Sequence, residues 1–217
     1  MRPIFVTGIG TEVGKTVVSA ILVEALCADY WKPVQAGDLE ETDTERVRKL
    51  VTNKLSHFHP ETVRLRIPAS PHAAAKLEGR KIDLDRFELP SATRGRPLVI
   101  EGAGGVLVPL NERHSMVDLI AKLRCETVVV SRNYLGSINH TLLTIEALRR
   151  RGIKILGLVF NGAENSETES VILSKTGVAL LGCVRWEATL TPELIRRYAD
   201  EFAPAWARHG RRRAVGT

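Results

Sequence analysis

The segment Gly8-Ile9-Gly10-Thr11-Glu12-Val13-Gly14-Lys15-Thr16 constrains this chain more than any other. It follows a short apolar run at 3–7 and precedes residues 15–28, where Val18, Ile21, Leu22, Ala25 and Leu26 recur at helical spacing. Strand, glycine loop, Lys-Thr and amphipathic helix therefore fall in one order. Glycines let a backbone wrap a polyphosphate with its N–H groups turned inward, and the helix start adds its positive dipole end. Lys15 would meet the outer phosphates, and the Thr16 hydroxyl would serve a Mg²⁺ ion. The usual spacing places four residues before Gly-Lys-Ser/Thr; five separate Gly8 from Gly14, so the loop is one residue longer. The expectation is nucleotide binding.

The remainder repeats the alternation. Residues 97–101, 126–131, 155–160 and 179–184 are runs of Val, Ile and Leu without polar alternation, the pattern of strands covered on both faces. Tyr30-Trp31-Lys32-Pro33-Val34 is expected as the second strand. Helices are expected at 42–52, 72–79, 115–123, 137–151 and 191–208, the last opening on Thr191-Pro192. This order implies an α/β fold: a doubly wound, mostly parallel β-sheet flanked by helices, with ligands at the strand C-terminal ends. Residues 53–96 carry few strand signals and are expected to form helices and loops beside the site. One domain is expected over 1–207, followed by a flexible basic tail at 208–217.

Composition narrows the function classes. No apolar run is long enough to cross a bilayer, and the N-terminus lacks a signal-peptide cleavage pattern, so a cytoplasmic location is expected. Cys27, Cys125 and Cys183 are far apart and odd in number, which argues against a disulfide framework. Of the net charge of +6, four units are Arg208, Arg211, Arg212 and Arg213, so the body is only mildly basic. No nucleic acid or membrane partner is expected.

Other segments carry candidate chemistry. Lys32 closes the expected second strand, where a lysine can meet a phosphate or a carbamate. Asp43 lies in Glu40-Glu41-Thr42-Asp43, which reads either as a Mg²⁺ ligand or as an acidic helix start. Leu98-Val99-Ile100-Glu101-Gly102-Ala103-Gly104-Gly105 ends a buried strand in an acid and a glycine loop; Glu101 would face the crevice beside Thr16. Gly136-Ser137-Ile138-Asn139 opens a strong helix whose N–H groups suit a carboxylate, with Ser137 as a plain cap being the alternative. Asn161, at a strand end, can read a purine edge or simply make a turn. His72 has no partner for a triad or metal site.

Taken together, these residues resemble the dethiobiotin synthetase family of the P-loop NTPase fold. The matching segments are Phe5 through Thr16, Lys32-Pro33-Val34, Ser70-Pro71-His72, Glu101 to Gly105 with Val108-Pro109-Leu110, and Leu135 to Thr141. The resemblance implies a homodimer that uses ATP, Mg²⁺ and CO₂ or bicarbonate on 7,8-diaminopelargonate. One amine and CO₂ form a carbamate, whose oxygen takes the γ-phosphoryl group; the second amine closes the ureido ring and releases phosphate. By motif match it implies Lys32 and Lys15 as catalytic residues, and Thr16, Asp43 and Glu101 as Mg²⁺ ligands. Glu12, Val13, Gly14, Lys15, Thr16, Val17, Asp43, Glu101, Gly102, Ala103, Gly104 and Asn161 match nucleotide contacts. Thr11, Lys32 and Ala36, with Gly136, Ser137, Ile138 and Asn139 reaching across from the partner subunit, match substrate contacts.

Two departures stand out. Ala36 replaces a serine common in the family, and Arg185-Trp186 stands where the family often has Pro-Trp. The competing reading is a dimeric ATPase switch of the chromosome-partition or cell-division type. Those proteins usually carry an extra lysine at the loop start, and Thr7-Gly8-Ile9-Gly10 has none.

Overall fold

The computed structural model describes residues 2–91 and 95–214, with side chains described to residue 206. The strands are β1 (Ile4–Gly8), β2 (Asp29–Trp31), β3 (Val34–Ala36), β4 (Phe58–His59), β5 (Val63–Leu65), β6 (Leu98–Gly105), β7 (Glu126–Arg132), β8 (Ile155–Asn161) and β9 (Leu180–Val184). The helices are α1 (Lys15–Leu26), α2 (Asp43–Leu50), α3 (Pro71–Leu77), α4 (Met116–Lys122), α5 (Ser137–Arg150), α6 (Ser166–Thr176) and α7 (Pro192–Ala214). Seven strands form a parallel sheet in the order β4-β2-β6-β1-β7-β8-β9. The chain first works outward from β1 on one side, then crosses to β7 on the other. Such a reversal opens a crevice at the strand C-terminal ends, and the glycine loop follows β1 there.

The apolar runs become sheet interior because both faces are covered. Phe5, Val6, Val99, Ile100, Val128, Val129, Val130, Leu158, Val159 and Phe160 are all buried. Each large apolar side chain sealed in this way contributes roughly 1.5–3 kcal/mol. α1 packs against α7. The face that α7 buries is Ile195, Tyr198, Ala199, Phe202, Ala205 and Trp206, a stripe at helical spacing.

Three expectations are corrected. The single second strand divides at Lys32-Pro33: β2 ends at Trp31, and β3 begins at Val34 and pairs with β5 in a separate two-stranded sheet. Pro33 has no N–H to donate to a ladder, so the strand leaves the main sheet there. Residues 53–96 contribute β4, an edge strand of the main sheet, as well as β5 and α3. α6 had no counterpart among the expected helices. Its Val171-Ile172-Leu173 cluster gives little periodicity, and it is set instead by its ends: Asn165 accepts from the N–H of Thr168, and Gly177 closes it at φ 61°.

α7 continues past the expected end at 208 to Ala214. The side chains of the expected flexible tail, and its last three residues, lie outside the described ones.

Candidate active site

The loop after β1 is shaped by backbone that only certain residues accept. Gly14 has φ 95°, and a Cβ there would lie 2.2 Å from the Asn161 side-chain nitrogen. Asn161, at the end of β8, donates from Nδ2 to the Val13 carbonyl at 3.0 Å. Arg132 at the end of β7 donates to the Glu12 carbonyl at 3.3 Å, and Glu12 itself has φ 55°. The ends of β7 and β8 thus clamp the loop from outside. No side chain caps α1 at Gly14, so its first-turn N–H groups and positive dipole end are available to an anion. Lys15 Nζ folds back to donate to Gly10 O at 2.9 Å. Burial, reinforced by repulsion from Lys32, lowers its pKa from 10.5 to about 8 against the pull of Glu101 and Asp43.

Beyond the loop stands a compact charged centre. Alternation along β2 puts Tyr30 and Lys32 on one side of the strand, and the register places Trp31 beside Ile100 of β6. Lys32 therefore emerges next to Glu101. Its Nζ lies 3.0 Å from Glu101 Oε1 and 2.5 Å from Asp43 Oδ2. Asp43 is held by local chemistry at the start of α2. Thr42 and Glu45 form a reciprocal capping box, and the Asp43 N–H donates to Gln35 Oε1 at 3.3 Å. The Thr16 hydroxyl reaches Glu101 Oε1 at 2.9 Å and Asp43 Oδ1 at 3.2 Å. Tyr30 OH donates to Glu101 Oε2 at 2.9 Å.

Burial alone would lower the Lys32 pKa, but the two carboxylates outweigh it and hold the ammonium above its ordinary value. Burial likewise works to raise Asp43, yet Lys32 dominates and the carboxyl stays below its usual range. Burial and the Glu101 charge push Tyr30 far up, so its hydroxyl keeps its proton and remains a donor. Thr16, Asp43 and Glu101 offer a hydroxyl and two carboxylates. All are hard oxygen donors, the kind Mg²⁺ takes alongside waters and phosphate oxygens. They fit that ion.

These groups line one cavity of about 760 Å³. Of the residues expected from sequence, Thr11, Glu12, Gly14, Lys15, Thr16, Lys32, Ala36, Asp43, Glu101, Ala103, Gly104 and Asn161 lie on its wall. Val13, Val17 and Gly102 do not. Val13 is buried beneath the loop, and a Cβ at Gly102 would meet the Phe5 ring at 2.7 Å. Gly136, Ser137, Ile138 and Asn139 are also off this wall. The cap of α5 is Gly136, at φ 101°, while Ser137 is buried with its oxygen facing the Tyr134 N–H at 3.4 Å. Arg185 turns to Glu169 at 3.2 Å and Glu164 at 3.8 Å. His72 meets Ser70 at 3.1 Å.

Sequence reasoning missed Tyr30, Gln35 and Arg46. Arg46 lines the cavity and approaches Asp43 at 3.8 Å. The two-residue step from Tyr30 to Lys32 was the available signal for the first. The others carry none that a single sequence shows.

A parallel sheet with a glycine loop between β1 and α1, a lysine and a hydroxyl at the helix start, and carboxylates opposite defines a nucleotide-using protein of the P-loop class. A family model described as an AAA domain matches residues 2–194. A protein of Cytophaga hutchinsonii named ATP-dependent dethiobiotin synthetase BioD is 51% identical over 95% of this chain and 99% of its own length. One of the same name from Christiangramia forsetii is 50% identical over 91% of this chain and 94% of its own. The chain belongs to the family of ATP-dependent dethiobiotin synthetases.

Solved structures show the same fold in other settings. The cell division ATPase MinD of Pyrococcus furiosus aligns with TM-score 0.59 at 14% identity, covering 94% of this chain and 99% of that one. A ParA family ATPase of Chlorobium tepidum aligns with TM-score 0.57 at 12% identity, covering 92% and 99%. At such identity the likeness is one of fold.

Proposed function

We propose that this chain forms dethiobiotin from 7,8-diaminopelargonate, CO₂ and ATP. The observation that carries the reading is that the loop lysine, the strand-end lysine and the Thr16, Asp43 and Glu101 oxygens share one cavity. The amine and CO₂ give a carbamate, its oxygen accepts the γ-phosphoryl group, and the second amine expels phosphate as the ring closes. Such a reaction brings several anions together, so it needs cations and alignment more than a protein nucleophile.

The loop N–H groups and the α1 start bind the phosphate tail. Lys15 leaves Gly10 to meet the outer phosphates. Lys32 faces the carbamate and the transferred group. Thr16, Asp43 and Glu101 would hold Mg²⁺, which supplies charge neutralisation of the phosphates when bound. Tyr30 fixes Glu101 through its second oxygen. Asn161, tied to the loop through its amide nitrogen, keeps its oxygen for the base. Ala36 leaves the substrate a gap that a water can fill.

The catalytic unit is residues 1–207, acting as a homodimer. The start of α5, with exposed Leu135, Ile138 and Asn139, extends toward the partner's cavity and brings the N–H groups after Gly136 to the substrate carboxylate. The switch reading is not favoured, because Gly8-Ile9-Gly10 lacks the extra loop lysine.

The test is mass-spectrometric detection of the ureido product with diaminopelargonate, bicarbonate and ATP. Phosphate release is expected only when all three are present. Release from ATP alone, stimulated by a protein or DNA partner, would reverse the reading.

A further inference from the structure

A buried carboxylate, Glu101, and a part-buried one, Asp43, set close together repel, and neither keeps its charge cheaply without a cation between them. In this structure that cation is Lys32. Its ammonium bridges Asp43 Oδ2 at 2.5 Å and Glu101 Oε1 at 3.0 Å. The Thr16 hydroxyl lies 2.9 Å from the same Glu101 Oε1 and 3.2 Å from Asp43 Oδ1. The other Glu101 oxygen is taken by Tyr30 OH at 2.9 Å. Glu101 Oε1 is thus the oxygen turned toward Thr16 and Asp43, and it is the one the ammonium holds.

Among the described residues, Lys32 is the one cation ion-paired with both carboxylates. Lys15 Nζ donates to Gly10 O. Arg46 is half-exposed and shared among Asp38 at 3.2 Å, Glu41 at 3.7 Å and Asp43 at 3.8 Å. It approaches Asp43 at Oδ1, the oxygen Thr16 also reaches, and has no ion pair with Glu101.

We propose that Lys32 is the resident counter-ion of the divalent-metal site, so that metal enters only by displacing its ammonium, and that this displacement releases Lys32 toward the reacting anion. The proposal rests on the reading that Thr16, Asp43 and Glu101 hold the metal. It goes beyond that reading by making metal loading and lysine release one event. Nucleotide-free protein then holds a divalent ion weakly. Metal and nucleotide load together, because the phosphates give the displaced ammonium a new partner. One lysine keeps the empty site from flying apart electrostatically and later serves the chemistry.

The test titrates Mn²⁺ into nucleotide-free protein and reads the free ion by electron paramagnetic resonance, with thermal melting in parallel. Lys32→Met is expected to bind Mn²⁺ at least about tenfold more tightly than wild type, the direction set by removing a positive charge beside two carboxylates. In chelator it is expected to melt below wild type and to recover when Mn²⁺ is added. Adding Asp43→Asn to Lys32→Met is expected to abolish the tightening. Lys32→Gln, which keeps a donor but no charge, gives the same readout should the methionine variant fail to fold. Mn²⁺ binding to the uncharged variants no tighter than to wild type overturns the proposal. If wild type with ATP also takes up no Mn²⁺ beyond that held by free ATP, the metal-site reading itself falls. If wild type with ATP does load Mn²⁺, only the counter-ion role is lost.

Discussion

Gly14 shows how much of the site depends on single atoms. Its φ of 95° and the 2.2 Å separation between a notional Cβ and Asn161 leave no room for a side chain. Gly14→Ala must either twist the loop or push Asn161 off the Val13 carbonyl. Left-handed strain of this kind costs ~1–3 kcal/mol. The expected outcome is a lower melting temperature together with loss of ATP binding by calorimetry; a variant that binds ATP like wild type would contradict the loop's role. Gly14, Lys15 and Thr16 were legible in sequence because close backbone approach and phosphate contact require those residue types at that spacing. Tyr30 was not, since a buried tyrosine in a strand reads as core until Glu101, far along the chain, is placed against its hydroxyl. Arg46 was hidden for a similar reason: on α2 it looks like a solvated charge, and only the fold brings it to the cavity wall.

Elements were readable where their periodicity was long and their ends were chemically marked. The buried strands from β6 onward and helices α1 and α5 fall within a residue or a few of their expected limits. β4 has only Phe58 and His59 and is held by pairing with Tyr30 and Trp31, a tertiary fact that local pattern cannot carry. The chain leading into it is fixed from α1. Glu24 accepts from the Thr52 N–H at 2.8 Å and hydroxyl at 2.6 Å, and from the Asn53 N–H at 3.1 Å. Burial works to raise the Glu24 pKa, but these donors prevail and hold it below the ordinary 4.5. A carboxyl lowered in the folded state adds stability that is present above its unfolded value and is lost as pH falls through the folded one. Glu24→Ala is therefore expected to cost ~1–3 kcal/mol at neutral pH by orphaning those donors. The gap between the variant and wild type should narrow in acid below the usual carboxylate range. Denaturant melts at several pH values measure both, and a gap that stays constant into acid would refute the clamp.

At the scale of the molecule, the cavity wall comes from the glycine loop, the ends of β2 and β6, the start of α2 and residues 68–71. No side chain of the α5 start reaches its wall, yet that start displays Leu135 at 104% exposure beside Tyr134 at 42% and Ile138 at 36%. Exposed apolar side chains grouped in this way are characteristic of surfaces that bind a partner. The homodimer proposed above would bury this leucine and bring the partner's α5 start to the cavity, which makes Leu135 the position at which to test it. Leu135 is almost without contacts in the single chain, so Leu135→Asp should leave the fold and the phosphate loop untouched. Light scattering is expected to show a dimer for wild type and a monomer for the variant. ATP binding should change little, while product formation falls by at least about tenfold, the loss typical of removing an interface anchor. A wild-type monomer with full turnover would remove the partner from the site. A monomeric variant with undiminished turnover would show that one chain supplies every substrate contact by itself.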